Sequence, residues 1–283
     1  VSNTAPSPEL RDDLARIGAL EDAAIDLGEA GLALAAMRRP GVSREWYREH
    51  LGRLAEDVQA HAAPRGGADA SLSARAEALT HVIAGMHGYQ GDLLTYDDLQ
   101  NANLMRVIDR RKGLPIALAL LYLHVARRLG WEANGINFPA HFLIRLEQGP
   151  QRLILDPFHS ARILEPADLR KLLKQLAGEE AELAPEHYEP ASNRQLLIRL
   201  QNNIKMRLLK AEEYDQALGI IETMRLIAPD LAELWYEKGA VLAQLGHLDE
   251  SVLALETAID RAETDATRHQ AAWLLQQVRG RFN

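Results

Sequence analysis

Residues 101–158 read NANLMRVIDRRKGLPIALALLYLHVARRLGWEANGINFPAHFLIRLEQGPQRLILDPF, and the fold follows from how this stretch is parsed. Gly113-Leu114-Pro115 is a turn. Pro115 lacks an N–H and presets φ, which suits the first turn of a helix. From Ile116 to Leu129 the residues are almost all apolar or small, with Arg127 and Arg128 in the last turn and Gly130 just beyond. That pattern predicts a buried helix with a cationic C-terminus and a glycine stop. Ala140–Leu146 and Arg152–Asp156 are β-rich runs on either side of Gln148-Gly149-Pro150, which predicts a hairpin.

Working outward toward the N-terminus, residues 1–8 are small, polar and proline-bearing and read as a frayed tail without the basic and apolar regions of a secretory signal. Helical patterns follow at Glu9–Leu20 and Asp22–Met37, the latter ended by Arg38-Arg39-Pro40-Gly41. Ser43 is placed to cap a helix over Arg44–Ala60, and Ser71 one over Leu72–Met86. His50 and His61 are too far apart for the i,i+4 spacing of a helical metal pair and read as surface residues. Residues 87–104 read as an ordered loop, with a short helix over Tyr96–Gln100 and Asn101 or Asn103 capping a helix over Leu104–Arg111.

Beyond the hairpin, Glu165–Leu176 reads as a helix that Pro166 helps to start, and Ala177–Pro190, acidic and proline-bearing, as a linker. The remainder repeats with a 34-residue offset: Leu208 falls on Leu242, Ala217 on Ser251 and Ile221 on Leu255. This spacing resembles a tetratricopeptide repeat, in which small residues let paired helices approach. Two repeats and a further helix over Asp265–Arg279 fit the scheme. About three such units are needed for independent stability, so the array is expected to lean on the core. The domains expected are 1–180, a helical section plus core, and 190–283, the repeats.

Composition bounds the function. The chain has 283 residues, 47% of them hydrophobic and 25% charged, with a net charge of −8 and no cysteine. The acidic balance argues against nucleic-acid binding through phosphate neutralisation. No apolar run reaches the ~18 residues of a membrane span. The absence of cysteine excludes disulfides and thiol chemistry, and a cytoplasmic protein without cofactor or bound metal is the simplest reading.

The order of buried helix, strand with histidine and strand ending in Asp-Pro resembles the transglutaminase-like, papain-type core, and within it the SirB-type proteins with tetratricopeptide repeats. The blocks that carry the resemblance are RRKGLPIALALLYLHVARRLG, FPAHFLIRL and LILDPF, with Tyr89-Gln90-Gly91-Asp92 and Asn101-Ala102-Asn103-Leu104 matching the segment before the helix. It implies an α+β fold, mostly α, with a short antiparallel sheet and a C-terminal helical solenoid. It puts His141 and Asp156 at the family's His and Asp, and a cysteine at about Pro115, with Ala119 as the matching alanine. The nucleophile is therefore missing. A thiol enzyme of this kind needs nucleophile, base and orienting group, and no serine or threonine lies at the helix opening to replace the cysteine. Pairing of a buried imidazole with a carboxylate across adjacent strands is one reason for His141 and Asp156 to remain; a ligand-binding cleft is the other. His141, Asp156 and His159 are also the residue types of a two-His-one-carboxylate metal site, though their spacing is unremarkable.

Further binding candidates are Asn101, Asn103 and Tyr89 as a polar wall, Trp131 beside the helix end, and Trp235 with Asn202, Lys205 and Lys210 on a solenoid face of the kind that holds peptides. The reading that results is a cysteine-less, degenerate transglutaminase-like protein acting as a protein-interaction or regulatory module, with a protein or peptide partner. The alternative is a hydrolase using His141 as general base oriented by Asp156.

Overall fold

The computed structural model describes residues 7–136, 138, 139 and 141–281. Residues 1–6 of the expected tail lie outside this set, whereas Ser7 and Pro8 already belong to a helix start. Ser7 caps α1 (Pro8–Gly18) by accepting from Leu10 N. The chain is α+β and mostly helical, and it divides into two compact units, Asp22–Leu197 and a second made of the chain up to Glu21 together with Ile198–Asn283.

In the larger unit, the helix expected over Asp22–Met37 is a 3₁₀ turn followed by α2 (Leu27–Ala36). Asp26 interrupts the run because its carboxylate accepts from Glu29 N, capping α2. Then come α3 (Glu45–Ala62) and α4 (Leu72–Leu79), the latter continuing as a π-helical segment over Thr80–Met86. A parallel two-residue ladder joins β1 (Gln90–Gly91) to β2 (Lys112–Gly113), flanking a 3₁₀ turn over Leu99–Ala102 and α5 (Leu104–Arg110). Helix α6 (Pro115–Arg128) starts at the proline, as its fixed φ favours. Ile116 through Ala126 are all buried.

The hairpin is the centre of a four-stranded antiparallel sheet in the order β3 (Glu132–Ile136), β4 (Leu143–Gln148), β5 (Gln151–Asp156), β6 (Arg162–Leu164). Asn134 and Gly135 disguised β3 in the sequence, and three residues were too few to announce β6. The strand predicted over Ala140–Leu146 begins only at Leu143, and Ala140 lies outside the described residues. His141 is therefore not on the strand: its N–H closes a turn onto Phe138 O, and Pro139 between them has no N–H for a ladder. One face of the sheet carries Ile136, Leu143 and Ile154 and packs with Leu164, Leu169 and Leu173 of β6 and α7 (Pro166–Ala177). Ala181, Leu183 and Tyr188, in the segment expected to be a linker, pack against the same cluster. The other face, with Ile144, Leu146 and Leu155, is on the side of α4 and α6.

In the smaller unit, α8 (Asn193–Lys210), whose first turn belongs to the larger unit, is followed by α9 (Tyr214–Ile227), α10 (Ala232–Leu245), α11 (Leu248–Arg261) and α12 (Asp265–Gly280). Ala217 and Ser251, and Ile221 and Leu255, the positions equated by the 34-residue offset, are all buried. Helix α1 packs on α9, where Gly18 lies against the carbonyl of Leu226.

Candidate functional site

Asp156 ends β5 and caps the 3₁₀ turn Pro157–His159. Its Oδ1 accepts from Phe158 N (3.0 Å) and His159 N (3.3 Å), and Oδ2 takes a hydrogen bond from His159 Nδ1 at 2.6 Å. The carboxylate is buried, while His159 is half exposed. Among the described residues Asp156 thus orients His159, not His141, and no hydrogen bond joins it to His141. No cluster of three or more His, Asp and Glu suited to a metal gathers among the described residues, so His141, Asp156 and His159 do not form one. At the opening of α6, where the thiol of the family would stand, Leu114 and Ile116 are buried and Pro115 lies between them. None offers a nucleophilic atom.

The segment ahead of α6 is tied by a buried polar knot. Asp92 accepts from Leu94 N, Thr95 N, the Thr95 hydroxyl (2.6 Å) and Arg110 Nη2 (2.8 Å). Those bonds, led by the Thr95 hydroxyl and amide, hold its carboxyl well below the usual carboxylate range. Arg110 also donates to Asn101 Oδ1, Asn101 Nδ2 to Thr95 O, and Leu114 N to Asn101 O. Asn101 is therefore a fully buried junction between the loop, α5 and the start of α6 rather than an open wall. Asn103 is the cap of α5, accepting from Arg106 N, and its Nδ2 reaches Ala35 O across to α2. Gly91 abuts the Phe158 ring, where a Cβ would come within 2.5 Å, and Tyr96 meets the same ring edge-on.

His50, read from the sequence as a surface residue, is buried. Its Nε2 lies 2.8 Å from Tyr89 Oη and 2.6 Å from Arg111 Nη1, and Arg111 also bonds Tyr89. Burial, followed by the Arg111 charge, lowers the imidazole to about 4, so the neutral ring accepts a hydrogen bond from the guanidinium, which keeps its charge. Burial likewise pushes the Tyr89 phenol up. Tyr89 is thus internal to the core, not a cleft wall. Trp131 is buried under the guanidinium of Arg75.

In the repeats, Trp235 is flanked by Arg225, Lys238 and Arg261, with the Arg225 guanidinium 3.3 Å from the ring centre, and its Nε1 donates to Pro229 O. Lys205 is not an exposed groove cation: it is buried and bonds Glu237 at 2.5 Å, linking α8 to α10. Large apolar side chains exposed on these helices include Met206 of α8 (58%), Leu253 of α11 (64%) and Trp273 of α12 (60%).

One polar constellation escaped the sequence reading. His124, on the buried run of α6, hydrogen-bonds Asp26 Oδ1 through Nδ1 at 3.0 Å. Burial works to raise the Asp26 carboxyl, but the His124 bond and charge and the backbone N–H groups of Glu29 and Gly28 bring it down to about 2. Asp26 is therefore ionised and Nδ1 is the donor. The signal in the sequence was a single imidazole among the aliphatic residues of 116–126, easily absorbed into the apolar pattern.

The fold and these sites define a transglutaminase-like core followed by tetratricopeptide-like helices, and comparison with known proteins agrees: residues 45–202 match the transglutaminase-like superfamily and residues 204–276 a tetratricopeptide repeat. The chain belongs to that superfamily and, within it, to the UPF0162 proteins. It is 30% identical to the UPF0162 protein of Vibrio cholerae over 223 residues, 78% of this chain and 81% of that protein. A Xylella fastidiosa UPF0162 protein is 34% identical over 163 residues, 56% of this chain and 58% of that protein, so the match spans little more than half of the Xylella relative's length. Human F-box only protein 21 is 30% identical over 189 residues, 63% of this chain but 29% of that protein. Among solved structures, menin is 9% identical with a TM-score of 0.39, over 89% of this chain and 68% of that one. No described helix is long and apolar enough to cross a membrane.

Proposed function

We propose that this protein is an interaction module: the repeats hold a protein or peptide partner, and the transglutaminase-like core serves as a regulatory or supporting body without acyl-transfer chemistry. The observation that carries this reading is the opening of α6, where Leu114, Pro115 and Ile116 supply no nucleophile and the whole chain has no cysteine. The commitment of Asp156 to His159 weakens the hydrolase alternative, because His141 then lacks the group that would orient it as a base. The repeat match over 204–276 supports a partner-binding role, since stacked helical repeats present extended binding surfaces.

The test is affinity capture with the full chain, the double variant Met206→Glu/Trp273→Glu and the variant His141→Ala, alongside assays for amide and ester hydrolysis. A partner held by the wild type and His141→Ala but lost from the double variant is the expected result. Hydrolysis by the wild type that disappears in His141→Ala would overturn it in favour of the enzyme.

A further inference from the structure

His124 is more than nine-tenths buried, and its Nε2 has no hydrogen-bond partner among the described residues. With Nδ1 turned to Asp26, Nε2 is the ring atom left without a partner, and in the Nδ1–H tautomer it is an acceptor. A buried acceptor left without a donor is costly in a native protein, and it marks a place where something outside the fold completes the set. The position is built rather than incidental. Gly28, at the start of α2, makes room for the ring: a Cβ there would lie 2.4 Å from His124 Nδ1. Any other residue would displace the imidazole.

Two clefts, about 750 and 640 Å³ in volume, adjoin this pair, and both are lined by Asp26, His124 and Arg128. Arg128 is one helical turn beyond His124, which puts the two side chains on the same face of α6. It is exposed and makes no hydrogen bond or ion pair among the described residues. Its neighbour Arg127 is fully engaged with Ala133 O and Asn193 Oδ1. Asp22, also in the larger cleft, spends its oxygens on the amides of Asn193 and Arg194 at the start of α8. What is left uncommitted is a buried acceptor beside a half-exposed carboxylate, the Arg128 guanidinium from one turn further along the helix, and an apolar lining from Ile25, Leu27 and Trp131.

We infer that this cleft binds a small zwitterion, a free α-amino acid, whose ammonium group donates to His124 Nε2 next to Asp26 and whose carboxylate pairs with Arg128. The spacing of roughly 5–6 Å between side chains one turn apart suits the short separation of the two charges in such a ligand. Arg is the residue that grips a carboxylate through two parallel bonds. The apolar lining takes the ligand side chain, and because Nε2 is enclosed in the unliganded chain, the ammonium reaches it by a local shift of the lining on binding. A metal ion is the poorer fit for the lone pair, since no three ligating side chains converge among the described residues. This site is independent of the partner-binding role of the repeats.

The experiment uses the dialysed full chain at pH 7.5, with thermal shift and calorimetry against each of the twenty amino acids, then against the N-acetyl and methyl ester derivatives of any that bind. The expected result is that at least one amino acid raises the melting temperature. Its N-acetyl form, which has no ammonium, and its methyl ester, which has no carboxylate, should each bind at least tenfold more weakly. Arg128→Ala, a surface change, should keep the unliganded melting temperature and lose at least tenfold in affinity. Ligand should also move the ¹⁵N resonance of His124 Nε2. Binding by none of the twenty, equal binding of the N-acetyl form, or undiminished binding by Arg128→Ala would each overturn the inference.

Discussion

His50 is a buried imidazole that the fold keeps neutral, because Arg111 donates into its Nε2 and the Tyr89 hydroxyl lies against the same nitrogen. The folded value of about 4 lies below the ordinary ~6.5 of the unfolded chain. Between these two values the unfolded chain takes up a proton that the folded chain refuses. The contribution of His50 is therefore complete above pH ~6.5 and is lost progressively as the pH falls toward 4, by up to about 3 kcal/mol at ~1.4 kcal/mol per unit. Urea unfolding of the wild type and of His50→Gln between pH 7 and 4 measures this; the variant, whose amide oxygen still accepts from Arg111, should lose most of the slope. The identity of such residues was visible in the sequence but their surroundings were not. His50 lies on a helix with alternating polar character, and only α3 docking against the 89–111 segment buries it. His141 shows the reverse: its place in the motif was legible, while the turn at Phe138–Pro139 that takes it off the strand depends on local backbone geometry.

At the scale of elements, close approach of helix pairs rests on small residues. Gly239 of α10 faces α11, where a Cβ would meet Leu255 Cγ at 2.6 Å and Ser251 O at 3.2 Å. Ser251, buried, returns the contact by donating its hydroxyl to Gly239 O at 2.7 Å. Gly239→Ala gains about 1 kcal/mol of helix propensity but overpacks this seam at a cost of about 2 kcal/mol, and the expected outcome is a net loss of about 1 kcal/mol, measured by denaturant unfolding followed through helical circular dichroism. Unchanged or increased stability would mean that α10 and α11 separate at little cost. The repeat offset already equated Ala217 with Ser251 from sequence, since small residues recur where helices touch. The strands β3 and β6 were not legible in the same way: their pairing partners lie elsewhere in the chain, and the hydrogen bonds of a strand leave no local signature when its residues are few or polar.

Across the whole molecule, the grouping of segments does not follow chain order. Helix α1 belongs with the repeats: it packs on α9, about 200 residues away in sequence, with Gly18 close against Leu226 and with Leu10 and Leu14 buried. The amphipathic pattern of α1 announced a buried face but not its partner. Deleting residues 1–21 should uncover that side of α9, and hydrogen exchange should show faster exchange along α9 while the amides of β4 and β5 keep their protection. Equal protection of α9 in both proteins would show that α1 contributes nothing to its stability.

By itself the sequence determined the local order of elements around residues 101–158, the helical repeat, the superfamily and the absence of a thiol nucleophile. These follow from periodicity, from proline and glycine placement and from residue identity, all of which are local. The tertiary structure decided that Asp156 serves His159, that Asn101 and Tyr89 are internal, that Lys205 is a buried strut, and that His124 meets Asp26 across 98 residues of chain. Each of these depends on which surfaces are brought together, and burial and hydrogen-bond partners come into being only when distant segments pack.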